Sequence, residues 1–240
     1  AKGGTSSGYR NGSGGGIFIA CRTLTGAGGA VRADAGSGHA SYSDGGGGRI
    51  AVLYDLAAQQ ALAKPRVTFS AAKGPGTGLI TPPTPGTIYF PDTALLDPAW
   101  LPHSGQLWWA GAAWTVNDLT VSGSVQFAAE GFQLTVSNDL TVAGAGRLEL
   151  GGNRVATNRM IGWQELLYTE TNGPALAVGR DLALAGGGSL AVYAGPTNAT
   201  SVLYGATLQI GGTLRIETNS WLYPHSHPTN GGSVLLNVTD

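Results

Sequence analysis

The chain has 240 residues and a formal net charge of −1 at neutral pH. This length can bury one sizeable all-β core or just reach two domains. Charged residues make up 11% of the chain, against roughly 25% in an average soluble protein. We predict no nucleic-acid partner, because no basic surface exists to displace counterions from phosphates. We also predict no membrane span, because every apolar run is shorter than the ~18 residues required.

Cysteine content and the first residues bear on the origin of the chain. The single cysteine, Cys21, excludes an internal disulfide and a cysteine-based metal site. Ala1-Lys2-Gly3-Gly4 begins within Gly-rich sequence and carries no signal peptide. We therefore expect a processed or excised piece of a larger, secreted or cell-surface protein.

The N-terminal third predicts short strands separated by glycine. Apolar runs at 16–20, 30–33 and 50–54 are typical of strands. Four glycines, residues 45–48, stand directly before the third run. Glycine allows tight corners and close backbone contact because it has no Cβ. We predict a corner or a closely packed backbone crossing at residues 45–48, and a flexible linker is the alternative.

The middle of the chain predicts one helix and one irregular stretch. Residues 56–67 contain an Ala/Gln-rich run that predicts a short helix, ended by Pro65. Residues 74–106 are rich in Pro and Gly and predict an excursion that returns as a strand at 87–90. The alternative is a boundary between a Gly-rich half and an Asp-Leu half, with the solenoid continuing across it. His103 lies within it, and we expect its side chain to be exposed.

An internal repeat dominates the rest of the chain. An Asp-Leu pair recurs at Asp118, Asp139 and Asp181, and a weaker copy covers 208–216. The spacings of 21 and 42 residues predict a period of about 21, with one irregular, loop-bearing coil between Leu150 and Pro174. Apolar and polar residues alternate in each copy, which is typical of a half-buried strand. Only the next coil can cover each apolar face, so the repeats should stack.

Several stretches resemble a known group of proteins. They are Gly14-Gly15-Gly16-Ile17-Phe18-Ile19, Leu24-Thr25-Gly26, residues 45–51, Gly86-Thr87-Ile88-Tyr89 and residues 223–234. The chain resembles the large, Gly-rich right-handed parallel β-helix proteins of environmental bacteria such as planctomycetes and verrucomicrobia, within the pectate-lyase-like β-helix superfamily. That superfamily includes polysaccharide lyases, glycoside hydrolases, phage tailspikes and surface adhesins. No residue-level catalytic motif of these proteins can be placed on this chain.

Together these features predict an all-β fold, a right-handed parallel β-helix (β-solenoid) with coils of about 21 residues. We expect one unit over 1–240. It would contain Gly-rich coils at 1–73, the Pro-rich excursion at 74–106 and Asp-Leu coils at 107–240.

Histidines provide the candidate chemistry. His39, Tyr42 and Asp44 offer a base, an acid and a carboxylate for β-elimination from a uronate, and a polar surface loop is the alternative. His225 and His227 would project to one face of an extended segment. They predict a metal half-site or a base with a neighbour, with a rigid loop as the alternative.

Tryptophans and repeated aspartates provide the candidate binding groups. Trp108 and Trp109 are adjacent and must point to opposite faces of a strand, so one should face outward and contact a glycan. Packing within the fold is the alternative. The repeated aspartates should stack and cap backbone N–H groups at turns. A Ca²⁺ ladder is the alternative, and we predict no other cofactor.

The function we predict is a secreted or cell-surface structural or adhesive β-solenoid segment that contacts glycans. The first alternative is a polysaccharide lyase or glycoside hydrolase of the parallel β-helix type. The second is a non-catalytic carbohydrate-binding module. We favour a non-enzymatic role, because no cluster of catalytic residues is visible. Polysaccharide or cell-surface glycan is the predicted partner. Uncapped coil ends predict either end-to-end self-association or continuation into more chain.

Overall fold

The computed structural model describes residues 1–5, 11–37, 45–75, 83–152, 172–197, 204–227 and 232–239. Apart from one five-residue helix, the regular secondary structure of these residues is β-strand in parallel sheets, which confirms the predicted all-β class. They form two compact units. Unit 1 takes Ala1–Asp97 and His103–Ala110, and unit 2 takes Pro98–Pro102, Gly111–Asn153 and Thr169–Asp240. Within the described ranges, no helix has the length and apolar character needed to cross a membrane.

Unit 1 is built on parallel strands. The sheet order is β1-β3-β5-β6, while β2 pairs with β4, and β4 meets β6 at Ser70 and Ser104. Alternate residues of the sheet face inward, and Ile50, Ile88 and Leu107 occupy one buried register position. The elements are β1 Gly16–Ala20, β2 Ala27–Arg32, β3 Arg49–Leu53, α1 Leu56–Gln60, β4 Arg66–Ser70, β5 Thr87–Tyr89 and β6 Ser104–Trp108.

The predicted short helix is present as α1. Asp55 caps it, since its Oδ1 accepts a hydrogen bond of 2.9 Å from the Ala58 N–H. Gln59 is buried and exchanges two hydrogen bonds with the backbone of Leu24, at 2.7 and 3.1 Å. These bonds fix the helix to the chain segment that leads into β2.

The glycine run, residues 45–48, is a backbone crossing rather than a linker. The Gly48 N–H donates to the Ala33 carbonyl at 2.7 Å. A Cβ on Gly47 would collide with the Ala71 carbonyl oxygen, and one on Gly48 would collide with neighbouring backbone. The run therefore packs main chain directly against main chain, which only glycine allows. The linker alternative is wrong, because a free linker makes no such contacts.

The range predicted as an excursion, 74–106, contains β5 and the start of β6, which pair with each other in the parallel sheet of unit 1. The predicted return as a strand at 87–90 is confirmed by β5, while the excursion itself stays a prediction because residues 76–82 lie outside the described residues. The expectation for His103 was wrong, since its side chain is 1% exposed. Its Nδ1 accepts the Phe69 N–H at 3.1 Å, which places the ring inside unit 1.

Unit 2 consists of three columns of parallel strands, each column a set of strands paired in succession. Their orders are β7-β10-β13-β16-β19, β8-β11-β14-β17 and β9-β12-β15-β18. The strands are β7 Ala113–Val116, β8 Leu119–Val121, β9 Ser124–Phe127, β10 Gln133–Val136, β11 Leu140–Val142, β12 Arg147–Leu150, β13 Ala175–Val178, β14 Leu182–Leu184, β15 Ser189–Tyr193, β16 Ala206–Ile210, β17 Leu214–Ile216, β18 Trp221–His225 and β19 Val234–Val238.

The Asp-Leu repeat sets the register of the second column. Leu119, Leu140, Leu182 and Leu214 are paired in succession, so the weaker copy belongs to the repeat. Their spacings are 21, 42 and 32 residues, so the predicted period of about 21 holds for one step only. The irregular coil predicted between Leu150 and Pro174 falls mostly outside the described residues. On either side of this range, β11 pairs directly with β14.

The core of unit 2 lies between the columns. One inward position of the first column carries Leu134, Leu176 and Leu208, each 1% exposed. Each such leucine removes a full side chain from water, which stabilises the fold by roughly 1.5–3 kcal/mol. The same position on β19 carries Leu236, which is 41% exposed. The last layer of described strands therefore exposes an apolar side chain at a position that is buried in the earlier layers.

Candidate functional site

An outward-facing line of side chains crosses the sheet of unit 1. Phe18, Ala51, Tyr89 and Trp108 share one register position on β1, β3, β5 and β6. Phe18 is 68% exposed, Tyr89 39% and Trp108 36%. Neighbouring strands lie about 4.8 Å apart, so the line forms an apolar strip in which the small side chain of Ala51 separates Phe18 from Tyr89. We call these four residues the aromatic row.

A second outward line runs beside the aromatic row. Two residues earlier on each strand, Gly16, Arg49, Thr87 and Gln106 share a register position. Arg49 is exposed, while Thr87 and Gln106 are half-buried. We call these four residues the polar row. Aromatic faces beside hydrogen-bond donors form a surface suited to a sugar ring, which has apolar C–H faces and a polar rim.

The sequence located only one member of this surface. Trp108 faces outward, in agreement with the expectation that one of the two adjacent tryptophans would do so, and Trp109 is half-buried. Glycan contact at Trp108 and Trp109 remains a prediction. Phe18 and Tyr89 were missed because they are distant in sequence and meet only through strand register. Trp114, by contrast, is a core residue, with its ring 5.8 Å from that of Phe127.

The structure places His225 in an aromatic and polar cluster of unit 2. Its ring stacks on that of Tyr193, with centroids 4.5 Å apart. The Tyr193 hydroxyl donates to Glu149 Oε2 at 3.2 Å, and Arg147 bonds Glu149 Oε1 at 2.5 Å. Burial opposes the Arg147 charge, but Glu149 and Tyr193 outweigh it and raise the pKa of Arg147. The cluster brings an imidazole, a phenol and a carboxylate together.

The predicted metal half-site gains no further ligand from the described part of the chain. Within it, no group of three His, Cys, Asp or Glu side chains is arranged to hold a metal ion. His227 is buried, and its backbone N–H donates to the Gly232 carbonyl at 2.7 Å. A metal role for His225 and His227 remains a prediction.

The predicted catalytic group of His39, Tyr42 and Asp44 lies outside the described residues. Its role in β-elimination stays a prediction.

The repeated aspartates cap turns, as expected. Asp118 Oδ1 accepts the Asp139 N–H at 3.3 Å, and Asp139 Oδ1 accepts the Asp181 N–H at 3.2 Å. Asp181 continues the pattern by accepting the Thr213 N–H at 2.8 Å. Each carboxylate thus satisfies a backbone donor in the next layer, which explains why acidic residues tolerate stacking. Arg180 also pairs with Asp139 at 2.7 Å.

In unit 1, a cluster of titratable side chains centres on Asp92. Tyr54 donates to Asp92 Oδ1 at 2.5 Å and Gln60 donates to Oδ2 at 2.7 Å. Burial opposes the Asp92 charge, but these bonds, the Ala94 N–H and the Lys64 charge lower the pKa of Asp92. Burial and the contact with Asp92 raise the pKa of Tyr54. Since Asp92 ties together β3, α1 and the turn after β5, its role is structural.

Comparison with known proteins assigns no function to the chain. The chain matches no protein-family model, no curated protein sequence and no solved structure.

Proposed function

We propose that the chain is a right-handed parallel β-solenoid segment of a secreted or cell-surface protein, with a structural and adhesive role. In this proposal it contacts polysaccharide through the aromatic row of unit 1. Successive parallel pairing in the three columns of unit 2 supports the solenoid, because each column repeats one register from layer to layer.

The aromatic row is the observation that carries the glycan contact. Three exposed aromatic side chains lie on one register line, and exposed apolar patches of this kind mark binding surfaces. A polymer of sugar rings can lie across successive strands, stack on Phe18, Tyr89 and Trp108, and hydrogen-bond the polar row. Side chains on paired strands are also rigidly placed, which lowers the entropy lost on binding.

The cluster around His225 supports an enzymatic alternative. An imidazole, a phenol and a carboxylate within one face are groups that a polysaccharide lyase or glycoside hydrolase employs for proton transfer. Glu149 is held by Arg147 and Tyr193. These contacts also explain the cluster as a cross-strand ladder that stabilises the sheet, so we rank the adhesive role first.

One experiment separates the two roles. The chain is incubated with pectin, alginate, ulvan, fucoidan, xylan and chitin, with and without Ca²⁺. Supernatants are read by mass spectrometry, and bound protein is measured by pull-down of the intact polymers. The proposal predicts polymer-bound protein and no new oligosaccharides. New oligosaccharides that disappear in a His225→Ala variant would establish an enzyme, and absence of both products and binding would reject both roles.

Self-association is a further part of the proposal. Leu236 and Ile216 are exposed on β19 and β17, although earlier layers bury the same register positions. On β18, the Trp221 N–H and the His225 carbonyl bond toward β15. Backbone groups of successive strand residues point to alternate sides, so the backbone of Pro224 faces away from β15. Proline offers no N–H there and blunts that edge. We therefore place the association at β17 and β19.

A further inference from the structure

A cleft of about 440 Å³ opens in unit 2 where the strands β10, β13 and β16 begin. This volume lies within the roughly 300–1,000 Å³ typical of small-molecule sites. Three successive layers contribute to the wall, so the cleft is a product of strand stacking. The residues that matter to its chemistry are Glu130, Gln133, Asn172, Gly173, Tyr204 and Thr207.

Backbone groups form one side of the cleft. A Cβ on Gly173 would collide with the Gly205 carbonyl oxygen. The same carbonyl accepts the Gly195 N–H at 2.8 Å. Main chain thus packs against main chain on that side, while Pro174, Ala175, Pro196 and Ala206 add apolar surface to the lining. Peptide groups beside apolar surface suit a sugar ring, which has hydroxyl groups on its rim and apolar C–H faces.

Side chains on the rim are held in place by hydrogen bonds. Glu130 Oε1 accepts the Asn172 N–H at 3.1 Å, and Gln133 Nε2 donates to the Gly131 carbonyl at 2.8 Å. Tyr204 contributes an aromatic side chain that is 41% exposed. The rim therefore combines one aromatic surface, one carboxylate and one amide, placed before any ligand arrives.

We propose that this cleft binds a neutral saccharide unit of one or two sugar rings. Tyr204 would stack on the C–H face of a ring, while Glu130, Gln133 and Thr207 would bond its hydroxyls. Charge selects against acidic sugars, since Glu130 lines the cleft and the described residues of unit 2 carry six Asp and Glu against three Arg. The site is separate from the aromatic row and does not depend on the function proposed for it.

The test measures disaccharide binding to the full chain by saturation-transfer NMR and calorimetry. Cellobiose and chitobiose are the neutral ligands, and digalacturonate is the acidic comparison. We expect at least one neutral disaccharide to bind with a Kd of about 1 mM or tighter, and digalacturonate to bind at least tenfold more weakly. Tyr204→Ala should weaken neutral binding about tenfold, and the isosteric Glu130→Gln should weaken it severalfold.

One control locates the site. Trp221→Ala removes another exposed aromatic residue of unit 2 and should leave disaccharide binding unchanged. Circular dichroism confirms that each variant folds. The proposal is overturned if neither neutral disaccharide binds, if digalacturonate binds as tightly, or if folded Tyr204→Ala and Glu130→Gln both retain full affinity.

Discussion

Single atoms decide where glycine is required in this chain. Residues 45–48 carry hydrogen-bonded main chain packed against Ala33 and Ala71, so their lack of a side chain is a packing requirement. A polyglycine run beside a strand reads as flexible by composition, yet here it is among the closely packed parts of unit 1. Residue identity alone predicted the crossing, but the partner segments could be found only from the structure.

Gly47→Ala should destabilise unit 1, because its Cβ would meet the Ala71 carbonyl oxygen. Overpacking of this kind costs about 1–3 kcal/mol. The matched control is Gly16→Ala, which has open space around the new Cβ and should change the free energy of unfolding by less than about 0.5 kcal/mol. Urea denaturation measures both. Equal stability of the two variants would show that the crossing is not closely packed.

His103 should make stability depend on pH. Burial lowers the pKa of His103 from 6.5 to about 4, so the unfolded chain takes up the proton first as the pH falls. The contribution of neutral His103 to the free energy of unfolding is fully present above pH 6.5. It decreases as the pH falls toward 4, by about 3 kcal/mol in total. His103→Asn retains an acceptor for the Phe69 N–H but does not titrate. Urea midpoints measured from pH 7.5 to 4.5 should fall less for this variant, and parallel curves would contradict the assignment.

At the scale of elements, turns and caps link one layer of strands to the next. Each repeated aspartate bonds its turn to the turn of the following layer, and register lines of buried, mainly aliphatic side chains fill the space between the columns. Alternation within a strand was readable from the sequence because it follows the two-residue period of β-structure. Which strand pairs with which was not readable where the spacing changes from 21 to 42 and 32 residues.

Asp139→Ala should weaken the contact between two layers of unit 2. It removes the acceptor for the Asp181 N–H and the partner of Arg180, and we expect a loss of about 1 kcal/mol. Asp139→Asn keeps an acceptor oxygen and should lose less. The free energy of unfolding should be the same with EDTA and with Ca²⁺. Stabilisation by Ca²⁺ that is absent from Asp139→Asn would instead support a cation ladder.

At the scale of the whole molecule, surfaces arise from layers that are far apart in sequence. Trp108 was recognisable as a candidate because it stands beside Trp109, but Phe18 and Tyr89 joined it only through parallel pairing. The cleft beside Tyr204 is built the same way, from three layers. Composition and alternation therefore predicted the all-β class and many strands, whereas the surfaces required the register.

Self-association belongs to this scale. Light scattering at increasing concentration should show assembly, because Leu236 and Ile216 expose apolar area on edge strands. Leu236→Lys and Ile216→Lys should shift the assembly to higher concentration through charge at the edge. Leu62→Lys, at an exposed position near α1, is the control and should assemble as the wild type does. A strict monomer at all concentrations would contradict the prediction.

The aromatic row is tested most directly by affinity electrophoresis of the full chain through gels that contain each polymer of the panel. The account predicts that at least one polymer retards the wild-type chain. It also predicts that Phe18→Ala, Tyr89→Ala and Trp108→Ala each weaken the affinity roughly tenfold. Trp221→Ala, which lies outside the row, should migrate as the wild type does. Equal retardation of all four variants, or no retardation of the wild type by any polymer, would contradict the proposed glycan contact.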